Sequence, residues 1–309
     1  MTTQPDITTP LVRDPVQAVN DDTLGDLKWF VGTWNSPKGA DATGYNVMPL
    51  PQKGAKNGYI LKNMPYYEEI TFAPIAGGAP NRGGTFTQSN NVLFYEQRVY
   101  IANNPAPSPA PSVQDTLVHA ENGSWLYRTF GPQLDGAYGP DKLPLPSPPP
   151  VEPVSQQYVK QVSVPHGNSL LLVGGAIEME GAPNIPPTPN GVLPFSDNKE
   201  IVDPNDKLKE QLMSLHEKDI TVTKHIEIKV NNNTEAGGGI SNVLFEQKHA
   251  DVDCFDTTWY IEFLSNGTVQ LQYFQFIWMK LLINGQWEKF LHCDANTLIP
   301  VSGQVKTSK

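Results

Sequence analysis

The chain is 309 residues long, enough to bury a sizeable core in one large β-rich domain or two small ones. Its 22 Lys and Arg stand against 32 Asp and Glu, a formal charge of −10, which argues against the basic face that wholesale binding to nucleic acid or an anionic membrane demands. Only 17 % of residues are charged while 29 are Pro and 25 are Gly, so turns and loops are plentiful and long helices few. The longest apolar runs, such as Leu170–Val173, are too short to span a bilayer, and Met1–Thr9 carries no secretory pattern. Two Cys, Cys254 and Cys293, allow one bridge at most, and a reduced cytoplasmic protein is the expected setting.

In chain order, residues 1–22 show no hydrophobic period and read as a loose arm. Thr23–Trp34 then places Leu24, Leu27, Phe30 and Val31 on one face of a short capping helix that Gly32 ends. Beyond it the period becomes two. Tyr66–Ile75, Asn91–Ile101, Gln114–His119, Ser124–Phe130, Gln157–Pro165 and Ser169–Glu180 read as strands, with Gly123 as a turn between the third and fourth. Asp219–Val230, Cys254–Leu264, Thr268–Ile283 and Glu288–Ile299 continue the series. Pro-rich stretches near 103–112, 139–153 and 181–194 interrupt it, because Pro gives a sheet no ladder donor. One inserted helix is predicted, with Asp203 as N-cap, Pro204 at the first helical position and Leu208, Leu212 and Leu215 as its stripe, through about Lys218. NVLFYEQ at 91–97 and NVLFEQ at 242–247 look alike, but the likeness stops there and reads as coincidence rather than a repeat. These elements predict an all-β fold: one expanded, closed antiparallel barrel over residues 23–300, followed by a tail at 301–309.

The chemistry-bearing residues are few. The sequence has no phosphate-cradle motif, no nucleophile elbow and no Cys pair at zinc spacing. Of six His, His216, His225, His166 and His249 have bland positions on a helix, a polar strand face, a turn and a loop border. His119 shares a strand face with Glu121, as half of a metal site or as a satisfied polar pair. His292 lies among apolar residues near the end of the last strand, where an imidazole is either a core residue or a ligand whose other nitrogen must be held.

Together, several motifs carry a resemblance. Leu24–Trp34 (LGDLKWFVGTW), Tyr67–Phe72 (YEEITF), Leu93–Val99 (LFYEQRV) and the segment from His119-Ala120-Glu121-Asn122-Gly123 to Arg128 resemble the nitrobindin-like family of haem-binding barrels. Gly32-Thr33-Trp34 is also shared with lipocalins and fatty-acid-binding barrels. Val269–Phe274 and His292–Leu298 look like the closing strands of longer relatives. The resemblance implies a lipocalin-like barrel holding haem b, hence iron, at one open end. It makes His292 the axial iron ligand and His119 the second-side histidine and the one candidate catalytic acid–base residue. Phe274, Phe276 and Trp278, with Tyr273 and Met279, would form the slot for the macrocycle, and Arg128 or Lys289 would meet a propionate. The partners implied are haem and small diatomic or peroxide ligands, with nitric-oxide binding, peroxynitrite isomerisation or weak peroxidase activity as the chemistry; a homodimer stays open. The alternative is a lipocalin-like carrier of an apolar small molecule that needs no metal. A third reading is an enzyme with Glu68, Glu69 or Glu121 as base.

Overall fold

A computed structural model describes residues 24–51, 53–55, 58–74, 79–80, 87–88, 92–102, 115–127, 158–189 and 202–301. The N-terminal arm, the insertions at 103–112 and 139–153, Arg128 and the tail beyond residue 301 lie outside them. The strands are β1 (Gly32–Asn35), β2 (Gly44–Pro51), β3 (Tyr59–Pro74), β4 (Ala79–Pro80), β5 (Thr87–Gln88), β6 (Val92–Ile101) and β7 (Leu117–Tyr127). They continue with β8 (Tyr158–Val164), β9 (Asn168–Glu180), β10 (Val222–Asn231), β11 (Gly239–Asn242), β12 (Ala250–Leu264), β13 (Val269–Ile283) and β14 (Gln286–Pro300). Two helices, α1 (Pro204–His216) and α2 (Leu244–His249), interrupt the series, and neither is long and apolar enough to cross a membrane.

Antiparallel neighbours run β14-β13-β12-β10-β9-β8-β7-β6-β3, and β1 and β2 each pair with both β3 and β14. The two short strands thus share one position and close a ten-stranded antiparallel barrel, compatible with a lipocalin-like or fatty-acid-binding-protein-like fold. Closure removes every free sheet edge from the ring, which is how an all-β chain of this size avoids edge-to-edge association. Strands from both sides of the Pro-rich stretch near residue 145 share that ring.

One end is plugged. The expected capping helix is a single 3-10 turn, Gly25–Trp29, because the chain must turn at once into β1. Leu24, Leu27 and Phe30 from this plug are fully buried. The Phe30 ring lies 5.0 Å from Phe72, 5.5 Å from Trp125 and 5.4 Å from Trp259, and Trp34 donates its indole N–H to the Phe30 carbonyl at 2.6 Å. Inward residues of most strands, among them Ile226, Ile228 and Val230, complete this core.

Gly123 makes no turn. β7 is one strand through it, and a Cβ there would sit 1.9 Å from the Gln161 carbonyl oxygen of β8, so the glycine permits a close approach of two backbones. Outside the ring, α1 starts on Asp203, whose Oδ1 accepts the Asn205 N–H at 2.9 Å. The other predicted feature there, the Pro-rich stretch from 181, is described to residue 189 and lies along α1: Thr188 donates both its N–H and its hydroxyl to Asp203. Ile185 and Leu208 pack with Tyr260, Phe274 and Ala295 on the outer face of the barrel.

Candidate functional site

The end opposite the plug holds a cavity that opens to solvent. Strand alternation decides what lines it. On β14, His292 and Asp294 face inward; on β13, Tyr273, Gln275, Ile277 and Met279 do. Met48, Met64, Val99 and Phe255 extend an apolar wall with Ile277 and Met279. The even-numbered aromatics of β13 therefore point the other way. Phe274 packs under α1, Phe276 bridges two outer clusters, and Trp278 packs beside Leu291 and Cys293 with Lys289 over its ring. Phe274, Phe276 and Trp278 line no part of the cavity, so the expected slot is corrected: of the five residues expected to form it, Tyr273 and Met279 reach the cavity. The physical reason is the period of two, which cannot present adjacent residues to one face. Lys289 binds Asp253 at 3.0 Å on the exterior and is likewise absent from the cavity wall.

His292 and His119 both line this space. The shorter way round the ten-strand ring separates β14 from β7 by four strand steps, so the two imidazoles stand on opposed walls. Burial, and then the charges of His119 and His166, push His292 down to about 4, which leaves it neutral near pH 7. Its Nε2 is buried and has no hydrogen-bond partner among the described residues; the nearest acid oxygen, Asp294 Oδ2, is 3.7 Å away. Asp294 itself accepts the Gln275 amide at 3.1 Å, and burial lifts its carboxyl to about 6.

On the opposite wall His119 Nε2 lies 3.4 Å from Glu121 Oε2. Burial lowers its affinity for a proton, but the hydrogen bond and charge of Glu121 outweigh this and hold it above the ordinary imidazole value. Burial likewise opposes the charge on Glu121, yet Lys160, His119 and Tyr95 together bring it down to about 2. Beneath the cavity a polar belt crosses the barrel. Glu68 accepts the Asn296 amide at 2.7 Å and the Gln97 amide, and the Tyr66 and Tyr273 hydroxyls lie 3.0 Å apart. Burial raises Glu68 to about 7 against the hydrogen bonds that favour its charge.

Of the three carboxylates considered as a base, Glu68 and Glu121 are buried in the barrel while Glu69 is exposed. Two residues were not singled out from sequence. His166, in the β8–β9 turn, lines the cavity with its ring 5.6 Å from that of His119, and nothing in its local sequence separates it from an ordinary turn residue. Lys160 does carry a signal: it alternates with Tyr158 and Val162, both inward, so its side chain is interior by parity and is 1 % exposed. His225 faces outward as expected with Glu227, yet it is buried because the Gly181 carbonyl lies 2.7 Å from its Nδ1. Among the described residues no group of three or more His, Cys, Asp or Glu side chains could hold a free metal ion. No family model, curated protein or solved structure matches the chain.

Proposed function

We propose that this protein is a nitrobindin-like haem-b carrier in which His292 ligates the iron. One observation carries the reading: His292, half-buried and neutral, lines an open-ended cavity, and its buried Nε2 has no hydrogen-bond partner among the described residues. A buried nitrogen without a partner costs about 1–3 kcal/mol, a cost that a ligand atom would offset. Porphyrin iron needs a single strong nitrogen donor from the protein, so the lack of a multi-residue metal cluster among the described residues does not bear against it. The apolar wall suits a macrocycle, with Met48, Met64 and Met279 as adaptable surfaces. When bound, haem supplies an iron that takes small diatomic or peroxide ligands and exchanges electrons.

The chain's own residues would then do three things. His292 binds and orients, its neutral form being the one with a free electron pair. The apolar wall excludes water from that face. His119, on the opposite wall, holds a proton within reach of the cavity and is the residue able to deliver it in chemistry of the nitric-oxide, peroxynitrite or peroxidase type. The apolar lining also favours a second reading, a metal-free carrier of an apolar molecule.

An absorption titration with hemin separates the two. The wild-type protein is expected to develop a Soret band with one equivalent, and His292→Ala to shift that band or weaken binding at least about tenfold, equal to 1.4 kcal/mol. A band indifferent to the substitution moves the ligand elsewhere. No band at any hemin concentration removes the haem reading and leaves the apolar carrier.

A further inference from the structure

Among the described residues that line the cavity there is no Lys or Arg, and those able to carry positive charge are His119, His166 and His292. Burial and the neighbouring imidazoles disfavour the charged form of His292 and of His166. His119 differs because of what stands behind it. Glu121 is 4 % exposed and spends Oε1 on the Tyr95 hydroxyl at 2.9 Å and the Lys160 ammonium at 3.3 Å, leaving Oε2 to face His119 Nε2. Lys160 is walled in. Its Nζ lies 5.2 Å from the Tyr95 ring centre and 5.9 Å from those of Trp125, Phe255 and Trp259, so its charge is stabilised by ring faces and cannot swing to solvent. The pair is thus a fixed dipole inside the barrel with its negative end aimed at His119. Such a pair is poor evidence of stabilisation, since apolar residues of equal volume commonly do as well. Its geometry gives it a use.

We propose that Lys160 and Glu121 are positioning residues that hold His119 as a protonated hydrogen-bond donor toward the cavity, so that the wall opposite His292 receives an anionic oxygen of the ligand. The inference rests on the reading above only in taking the cavity as the ligand site; it applies to a haem propionate and to the head group of a fatty acid alike. Other charged or titratable groups face His119 as well: Glu68 from β3, His166 from the β8–β9 turn, and Asp294 and His292 from β14. The acids among them act in the same direction as Glu121, and the two imidazoles against it.

The test follows the His119 imidazole by NMR against pH in the ligand-free, full-length protein, for wild type, Glu121→Gln and Glu121→Asp. The wild-type midpoint is expected above the roughly 6.5 of a free imidazole, falling by at least about one unit (tenfold in proton affinity) in Glu121→Gln and mostly restored in Glu121→Asp. A wild-type midpoint at or below the free value overturns the proposal even if neither variant folds. So does a midpoint that Glu121→Gln leaves unchanged. Sodium octanoate is then expected to shift the His119 resonances and raise the midpoint, and 1-octanol to do neither; no response to octanoate, or an equal response to both, overturns the anion-binding half. Hemin against hemin dimethyl ester, read by the Soret band, distinguishes a propionate from a fatty head group as the source of that oxygen. The NMR titration uses no haem, so its failure leaves the His292 reading standing, and a failed hemin titration leaves this one standing.

Discussion

At the scale of the residue, His292 and His119 are the same side chain pushed in opposite directions by what surrounds them. Burial and two neighbouring imidazoles lower the proton affinity of His292, whereas the carboxylate of Glu121 raises that of His119 against the cost of burial. Gly123 shows how a single side chain governs the same wall. Gly123→Ala places a methyl 1.9 Å from a backbone oxygen of the neighbouring strand, which only a backbone shift can relieve. We expect a loss of about 2–3 kcal/mol in urea unfolding, or failure to fold. A loss below about 0.5 kcal/mol would mean that β7 and β8 separate more freely than this packing allows. His119, Glu121 and His292 were legible as candidates because their motifs are local. The inward face of β13 is not legible in the same way, because parity depends on which neighbours enclose the strand, and a run in which both faces are apolar does not reveal it.

At the scale of the element, the same few letters take different forms. NVLF forms part of strand β6 after residue 91 and leads into helix α2 after residue 242. In β6, Leu93 and Tyr95 have a closed core to enter, while Val243, Leu244 and Phe245 lie exposed outside the ring. Tertiary context outweighs so short a propensity. Helix α1 is the opposite case. Its cap, Pro and leucine stripe are local signals: the structure begins it as they predict and buries Leu208 of the stripe, with Leu212 packed at the edge and Leu215 half-buried. What they could not reveal is that the cap also ties down the segment ending at Thr188. Asp203→Ala removes the N-terminal acceptor and both Thr188 contacts. We expect a cost of about 1–2 kcal/mol, with amide exchange accelerated at Thr188 and Asn205 and unchanged in β7. Exchange at Thr188 as slow as in wild type would show that the segment is held by Ile185 alone.

At the scale of the molecule, folding buries carboxyl groups that water would ionise, Glu68 and Asp294 inside the barrel and Glu262 on its outer face, the face of Tyr260. Burial raises Glu68 to about 7, Glu262 to about 8 and Asp294 to about 6, each above its value in the unfolded chain. The folded protein therefore keeps protons that the unfolded chain has released, and each group weakens folding as pH rises from about 4 to its folded value. His119 acts in the same direction: its raised affinity stabilises fully below the free imidazole value and is lost as pH rises through the folded one. His292 opposes them, favouring folding as pH rises from about 4 to about 6.5, and Glu121 adds stability that disappears only as pH falls from about 4.5 to about 2. His166, also lowered, acts with His292, and three carboxyls with His119 outweigh the two, so urea unfolding is expected to show greater stability at pH 5 than at pH 8. Equal or greater stability at pH 8 would mean that these carboxyls reach solvent or find cations.

Sequence alone determined the alternation of the strands, the capped helix between them and the absence of long helices, because period, capping and Pro placement act over a few residues. Only the tertiary structure decided the rest. It joined β1 and β2 into one closing position and left Phe274, Phe276 and Trp278 outside. It set His166 on the cavity wall and buried Lys160 behind Glu121. Each of these depends on which strands become neighbours around a ring, and ring closure is a property of contacts between residues far apart in the chain. The reason is geometric: a strand's two faces are equivalent until a second strand, and then a tenth, makes one of them the inside.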